Sequence, residues 1–212
     1  MSYSYKEIYL SDAMRNLGEM TEYAHDACDV ELDKALGVFI ISGYAEKFAA
    51  GDPCVVSGMS GTELYIGSAE KCGLGMKTWP NAIIRYDCGE YYWVGYILAY
   101  YQWSVNRSFG KILSVIKADD LLRMYPALHT ASEGRAIEEL EELYRERTVL
   151  GRLQEYRKKL SMTQAQLAEA SGVNIRTLQQ YETGAKSLKK AAAETVFSLA
   201  DVLGCRPEEL IS

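Results

Sequence analysis

Groups that bind metals or form disulfides are scarce in this sequence. Its 212 residues include two histidines and five cysteines, and no pair of cysteines has CxxC spacing. Structural zinc sites usually show such close ligand pairs. His25 lies near Asp26 and Cys28, but a polar helix end explains the same letters. We therefore expect no metal site and no cofactor, and we expect the cysteines to be free thiols in a reducing cytoplasm.

Long apolar runs and an excess of positive charge are also absent. Residues 91–103, the most apolar stretch, are fewer than the ~20 that span a bilayer, and residues 1–9 do not resemble a signal peptide. The formal net charge is −6, but it is divided unevenly. Residues 1–147 carry −8 (fourteen basic against twenty-two acidic side chains), and residues 148–212 carry +2 (nine against seven). These features indicate a cytoplasmic protein without a membrane role. DNA repels its acidic first part, which therefore needs another partner.

Catalytic groupings are missing as well. Residues 58–61 read GMSG, but the serine lacks the strand-turn-helix setting and the base of an activated nucleophile. A turn followed by Ser60 as a helix N-cap explains these letters better. No glycine loop that cradles phosphates occurs either. We therefore predict that the chain is not an enzyme.

The string TQAQLAEASGVNIRTLQQYETG, residues 163–184, is the most informative one present. Thr163 is suited to N-cap a first helix, because its hydroxyl can accept a free backbone N–H. Gly172 can reach the positive φ of a sharp turn without steric cost. Asn174 is placed to cap a second helix, and Gly184 to end it. Two short helices around a glycine turn are typical of a helix-turn-helix.

With these residues, positions 150–210 resemble the Cro and phage-repressor type of helix-turn-helix, often called the Xre family. The resemblance implies a five-helix DNA-binding domain. It also implies that Gln164 grips a DNA phosphate and that Arg157 pairs with Glu182. The base-reading positions of the family correspond to Asn174, Ile175, Arg176, Gln179 and Gln180.

The side chains at these positions suit DNA recognition. Arginine can bond guanine bidentately, glutamine can do the same to adenine, and an aliphatic side chain can meet a thymine methyl. Thr177 and Lys186 are placed to hold phosphates, which position a protein without specifying sequence. Tyr181, at a position usually aliphatic, and Ile175, where a polar residue is common, depart from the pattern. The alternative is a small helical bundle whose glutamines and arginine form only a solvated face.

Helical spacing of apolar residues recurs through the rest of the chain. It predicts an all-α fold with an acidic helical domain over 1–130, a connecting helix over 131–149 and a DNA-binding domain over 150–212. The predicted helices of the first part cover 10–25, 30–50, a segment from the Ser60 capping box to Gly73, 90–104, 108–116, 119–124 and 130–147. Short extended segments are predicted at 55–56 and 82–85, and Pro126 is expected to break a helix.

Tyrosine outnumbers phenylalanine by 16 to four, which suits either a groove that docks a protein or a core whose hydroxyls reach water at its rim.

The order of an acidic helical domain and a repressor-type domain is similar to that of bacterial antitoxins. We therefore predict a sequence-specific transcriptional regulator that binds operator DNA as a homodimer. It would be the antitoxin-like component of a toxin–antitoxin operon, with its first domain on a protein partner such as a toxin. A ligand-sensing repressor with a small-molecule pocket is the alternative, and an enzyme whose site the sequence hides is a third possibility.

Overall fold

The computed structural model describes residues 3–83 and 88–211, with the backbone alone for residues 149–151. No β-strand occurs within this part of the chain, and the all-α prediction is confirmed. The chain divides into two compact units, residues 1–140 and 141–212, which we call the N-terminal and C-terminal units. The division falls inside one helix, within the segment predicted to connect the domains. The predicted domain limits themselves stay a prediction.

Within the described residues, nine α-helices begin in the N-terminal unit, and the ninth continues into the C-terminal unit. They are α1 (Leu10–Glu22), α2 (Leu32–Ile41), α3 (Tyr44–Ala49), α4 (Pro53–Val56), α5 (Gly61–Lys71), α6 (Glu90–Val105), α7 (Phe109–Val115), α8 (Ala118–Leu128) and α9 (Glu133–Lys159). A π-helical turn, Tyr23–Ala27, prolongs α1. The C-terminal unit adds α10 (Gln164–Ser171), α11 (Ile175–Thr183), α12 (Ala193–Leu203) and α13 (Pro207–Ile211), with a 3-10 turn at Leu188–Lys190.

Helix α6 lies at the centre of the N-terminal unit, and α1 packs along it at close range. A Cβ atom added at Gly95 would lie closer than 3.0 Å to the carbonyl oxygen of Leu17 and to the hydroxyl of Thr21. That hydroxyl donates to the carbonyl of Tyr91 on α6 at 2.8 Å. Gly61 allows a similarly close approach between α5 and α1. The apolar helix predicted at 90–104 is therefore a core helix whose crossing depends on glycine.

Three of the four phenylalanines form one cluster that joins α2, α3 and α7. The ring centres of Phe39 and Phe109 are 5.3 Å apart, and Phe48 lies 5.7 Å from Phe39 and 5.8 Å from Phe109. All three contacts are edge-to-face, the arrangement that the ring quadrupoles favour. The cluster fixes the three helices relative to one another.

Three local predictions for the N-terminal unit were wrong. The single helix expected over 30–50 is two helices, because Gly43 adopts φ +79° between α2 and α3. The segment 55–56 is helical, since Asp52 caps α4 and Pro53 starts it. Pro126 lies inside α8, which continues to Leu128; the proline removes one backbone hydrogen bond, the one to the carbonyl of residue 122, without ending the helix. The extended segment expected at 82–85 stays a prediction: Ala82 and Ile83 lie outside any helix or strand, and the rest of the segment lies outside the described residues.

The C-terminal unit has a separate apolar core. The end of α9 and helices α10 to α13 surround it. Its fully buried members include Leu167, Leu178, Leu199 and Leu210, each 0% exposed. Among the described helices, none combines the length and apolar character needed to cross a bilayer.

Candidate nucleic-acid interface

Capping residues set the ends of α10 and α11. The hydroxyl of Thr163 accepts from the backbone N–H of Gln166 at 3.2 Å, and the Gln166 side chain accepts from the Thr163 N–H at 2.8 Å. Gly172 ends α10 in the left-handed region, with φ +68°. The Asn174 side-chain oxygen then accepts from the Arg176 N–H at 2.9 Å. Since every one of these contacts joins residues within three positions, the sequence alone can specify the turn between α10 and α11.

Helix α11 has one buried face and one exposed polar edge. Leu178 and Tyr181 face the core and are 0% and 3% exposed. The base-reading candidates lie on the other side, where all five are exposed: Asn174, Ile175, Arg176, Gln179 and Gln180. Thr177 is half-buried, and Lys186 is exposed just beyond the helix. The arrangement offers a polar helix edge to a partner.

Tyr181 fits the core position that is usually aliphatic. Its ring is buried, and the ammonium of Lys186 lies 5.9 Å from the ring centre. A cation at this distance from an aromatic face is attracted by the ring quadrupole. The tyrosine ring therefore holds Lys186, a candidate phosphate-binding residue, close to α11, which carries the base-reading candidates.

A buried ion pair links α9 to the end of α11. The guanidinium of Arg157 donates to both carboxylate oxygens of Glu182, at 2.7 and 2.9 Å, and to the carbonyl of Met162 at 2.7 Å. The Glu182 side chain is 1% exposed and that of Arg157 is 10% exposed. A bidentate pair is both stronger and more directional than a single charged hydrogen bond. This contact fixes the orientation of α11 within the unit.

The ionisation of Glu182 reflects two opposing effects. Burial raises the pKa of its carboxyl, whereas hydrogen bonds from Arg157 and Gln164 lower it, and the net pKa lies below the ordinary value. The same contact raises the pKa of the Arg157 guanidinium. The pair is therefore charged at neutral pH.

Gln164 makes contacts within the unit that the sequence did not reveal. Its side-chain amide donates to Glu182 at 2.7 Å, and its oxygen accepts from the Gln179 amide at a long 3.4 Å. Two interface candidates, Gln164 and Gln179, are thereby joined to the Arg157–Glu182 pair. Each of these contacts joins α10 to α11, across 15 or 18 positions of the sequence. No local sequence pattern predicts contacts of this kind.

Lys189 and Lys190 were missed as interface candidates. Both are exposed in the 3-10 turn that follows α11. They line a cleft of about 140 Å³ together with the carboxylates of Glu142 and Glu146. The signal that could have found them is the pair of lysines soon after α11.

Outside this region, the described residues show no group of three or more histidine, cysteine or acidic side chains placed to hold a metal. Ser60 is a helix cap: its hydroxyl accepts from the Glu63 N–H at 3.2 Å, and the Glu63 carboxylate accepts from the Ser60 N–H at 2.8 Å. Several tyrosine hydroxyls bond to the protein itself. Those of Tyr23, Tyr96 and Tyr125 donate to Pro80, Glu133 and Cys88.

Comparison with known families agrees with this geometry. Residues 153–210, just over a quarter of the chain, match the family described as Helix-turn-helix. No curated protein and no solved structure has detectable similarity to the chain. The N-terminal unit has no recognised family. Residues 153–210 are similar to helix-turn-helix domains of the Cro/C1 type, and this similarity supports a DNA-binding transcriptional regulator.

Proposed function

We propose that the chain represses or otherwise regulates transcription by binding a specific operator through α11. The observation that carries this proposal is the exposed polar edge of a helix whose other face is anchored by Leu178 and Tyr181. The N-terminal end of such a helix contacts base edges in the major groove. In this proposal five side chains contact bases: Asn174, Ile175, Arg176, Gln179 and Gln180. Three others contact phosphates: Gln164, Thr177 and Lys186.

The contacts within the unit rank these candidates. The Asn174 oxygen already caps α11, and the Gln179 amide points to Gln164. Arg176 and Gln180 are exposed, and neither side chain has a hydrogen-bonding partner among the described residues. Their side chains are therefore the most available to contact bases. In this proposal Arg176 hydrogen-bonds a guanine and Gln180 hydrogen-bonds an adenine.

The modest charge of the DNA-binding part supports a homodimer. Residues 148–212 carry only +2, so one copy makes few phosphate contacts and binds weakly. Two copies on half-sites one helical turn apart, about 34 Å, would double these contacts. The operator is then expected to be an inverted repeat.

Arg176→Ala tests the assignment of the recognition helix. We expect operator affinity to fall by about 1–3 kcal/mol, because a bidentate contact with guanine is lost, while binding to unrelated DNA changes far less. Fluorescence anisotropy at a fixed salt concentration, with duplexes from the chain's own promoter and a scrambled sequence, measures both.

Arg206→Ala is the matched control. Arg206 is exposed in the same unit, but it lies at the start of α13 near Glu209. Its loss should leave operator binding unchanged. An equal loss of affinity for every DNA sequence in Arg176→Ala would reassign Arg176 to a phosphate. No binding of the wild-type chain to its promoter at low salt would refute the proposed function.

The N-terminal unit is proposed to bind a protein, most specifically a toxin encoded beside this chain. Two features support a protein partner: a separate core and an excess of acidic residues that DNA repels. A third feature, tyrosines whose hydroxyls bond within the fold, bears on the alternative of a ligand pocket. The last feature favours tyrosine as a structural residue over tyrosine as the lining of a ligand pocket. The antitoxin role rests on the order of the two units, which is an argument by analogy.

Co-expression tests this second part. If the chain is an antitoxin, the product of the adjacent gene should arrest growth when expressed alone, and the chain should both restore growth and co-purify with that product. The Arg176→Ala variant should protect equally well, because the partner contacts the N-terminal unit. An adjacent gene whose product is harmless and does not co-purify would exclude the antitoxin role.

A further inference from the structure

An apolar groove lies between α2 and the segment that begins in α7. It has a volume of about 560 Å³. One wall comes from a single stripe of α2, with Asp33, Gly37 and Ile40, and the other from Gly110, Leu113 and Lys117. The phenylalanine cluster of Phe39, Phe48 and Phe109 holds the helices on either side. The groove, which we call the α2–α7 groove, is therefore a fixed feature of the N-terminal unit.

The two glycines of this groove have no packing role within the described chain. A Cβ atom added at Gly37 or at Gly110 would meet no other atom within 4 Å. Gly95, in contrast, is required by the close crossing of α1 and α6. Glycine inside a helix is less favourable than alanine. Two such glycines on facing walls of one groove indicate that the groove accommodates a side chain of another molecule.

The surface beside the groove carries a matching projection. Ile41 is 79% exposed and follows Gly37 by four positions, so it stands next to the groove on the same helix. The groove also has one end with both signs of charge. Asp33 accepts from the backbone N–H of Ala118 at 3.2 Å, and Lys117, whose ammonium donates to the Leu113 carbonyl at 2.9 Å, lines the same groove. The same surface thus combines a projecting side chain, Ile41, with a groove that can receive one. It also combines the negative charge of Asp33 with the positive charge of Lys117.

A two-fold symmetric interface needs this combination, because each residue must find its complement on an identical surface. We infer that a second copy of this chain packs on the α2–α7 groove, with Ile41 of each copy inserted over the glycines of the other. Asp33 of each copy then lies near Lys117 of the other. This contact gives the homodimer proposed above an interface in the N-terminal unit.

The mass of the full chain in solution, measured without DNA, tests the inference. Sedimentation equilibrium or light scattering over a range of concentrations should show a dimer. Ile41→Glu places a charge in the interface and should raise the dimer dissociation constant by about 30-fold or more. Gly37→Leu fills the groove from within and should do the same. It has open space around its Cβ, so the monomer should stay folded by circular dichroism.

Ile8→Glu is the matched control, because Ile8 is equally exposed at 79% and does not line the groove. It should leave the dimer intact. A wild-type chain that stays monomeric, or a dimer that tolerates both groove variants, would overturn the inference. Since no DNA is present, failure of operator binding would leave this result unaffected.

Discussion

Arg157→Met is expected to lower the free energy of unfolding of the C-terminal unit by about 3–5 kcal/mol. The substitution leaves Glu182, whose side chain is 1% exposed, without its bidentate partner. The remaining hydrogen bond from Gln164 cannot offset the cost of a buried carboxylate. Small domains have total stabilities of about 5–15 kcal/mol, so a large part of the stability of this unit would be lost, and DNA binding with it.

The positions of the tryptophans allow this effect to be assigned to one unit. All three (Trp79, Trp93 and Trp103) lie in the N-terminal unit. Tryptophan fluorescence during denaturation therefore reports the N-terminal unit, whereas circular dichroism reports helices of both. In the Arg157→Met variant, part of the ellipticity should be lost at a lower denaturant concentration than in the wild type. The fluorescence transition should stay at the wild-type concentration.

The double variant Arg157→Met with Glu182→Leu is the decisive control. Replacing both members of a buried pair by apolar side chains is often close to neutral, because no uncompensated charge remains. Most of the lost stability should therefore return. A double variant as unstable as Arg157→Met alone would show that the charge pair is not the origin of the effect.

Gly95→Ala is expected to destabilise the N-terminal unit by about 3 kcal/mol, although alanine is the better helix former. The added methyl group would meet the Leu17 carbonyl and the Thr21 hydroxyl closer than 3.0 Å. Helices α1 and α6 must then separate along their crossing. Because Trp93 and Trp103 lie on α6, the shift of the fluorescence transition to lower denaturant measures the loss directly.

Gly134→Ala is the matched control: it adds the same methyl group at a helix position where no backbone atom of a neighbouring segment is close. A Cβ atom there would have only the Ser132 hydroxyl oxygen within reach, at 4.0 Å. This variant should be as stable as the wild type, or slightly more stable, because alanine is favoured in a helix. Equal stability of Gly95→Ala and Gly134→Ala would contradict the close crossing of α1 and α6.

The parts of the fold that could be predicted are those set by neighbouring residues. Ser60 and Glu63 form the expected capping box, and Ser108 caps α7 as expected. The split between α2 and α3 was missed because Gly43 lies within a run of apolar residues whose spacing continues a helix. Pro126 misled for the opposite reason: proline lacks the N–H that a helix interior uses, yet α8 continues through it to Leu128.

The candidate site divides in the same way. The turn at Gly172 and the caps at Thr163 and Asn174 are local, and the letters alone indicate them. The bonds of Gln164 to Glu182 and Gln179 bring three segments of the chain together. They arise only once the helices have packed, and so they lay beyond the reach of any sequence pattern.

The amino-acid sequence by itself determined that this protein is helical, that its second part is a helix-turn-helix and which edge of α11 is polar. Hydrogen bonds and apolar periodicity within a few residues set these features, and such short-range signals can be read directly. Only the tertiary structure decided that Gly95 is pressed against α1 while Gly37 opens onto a groove. The two residues are the same letter inside a helix. What distinguishes them is the set of atoms that distant parts of the chain bring next to each.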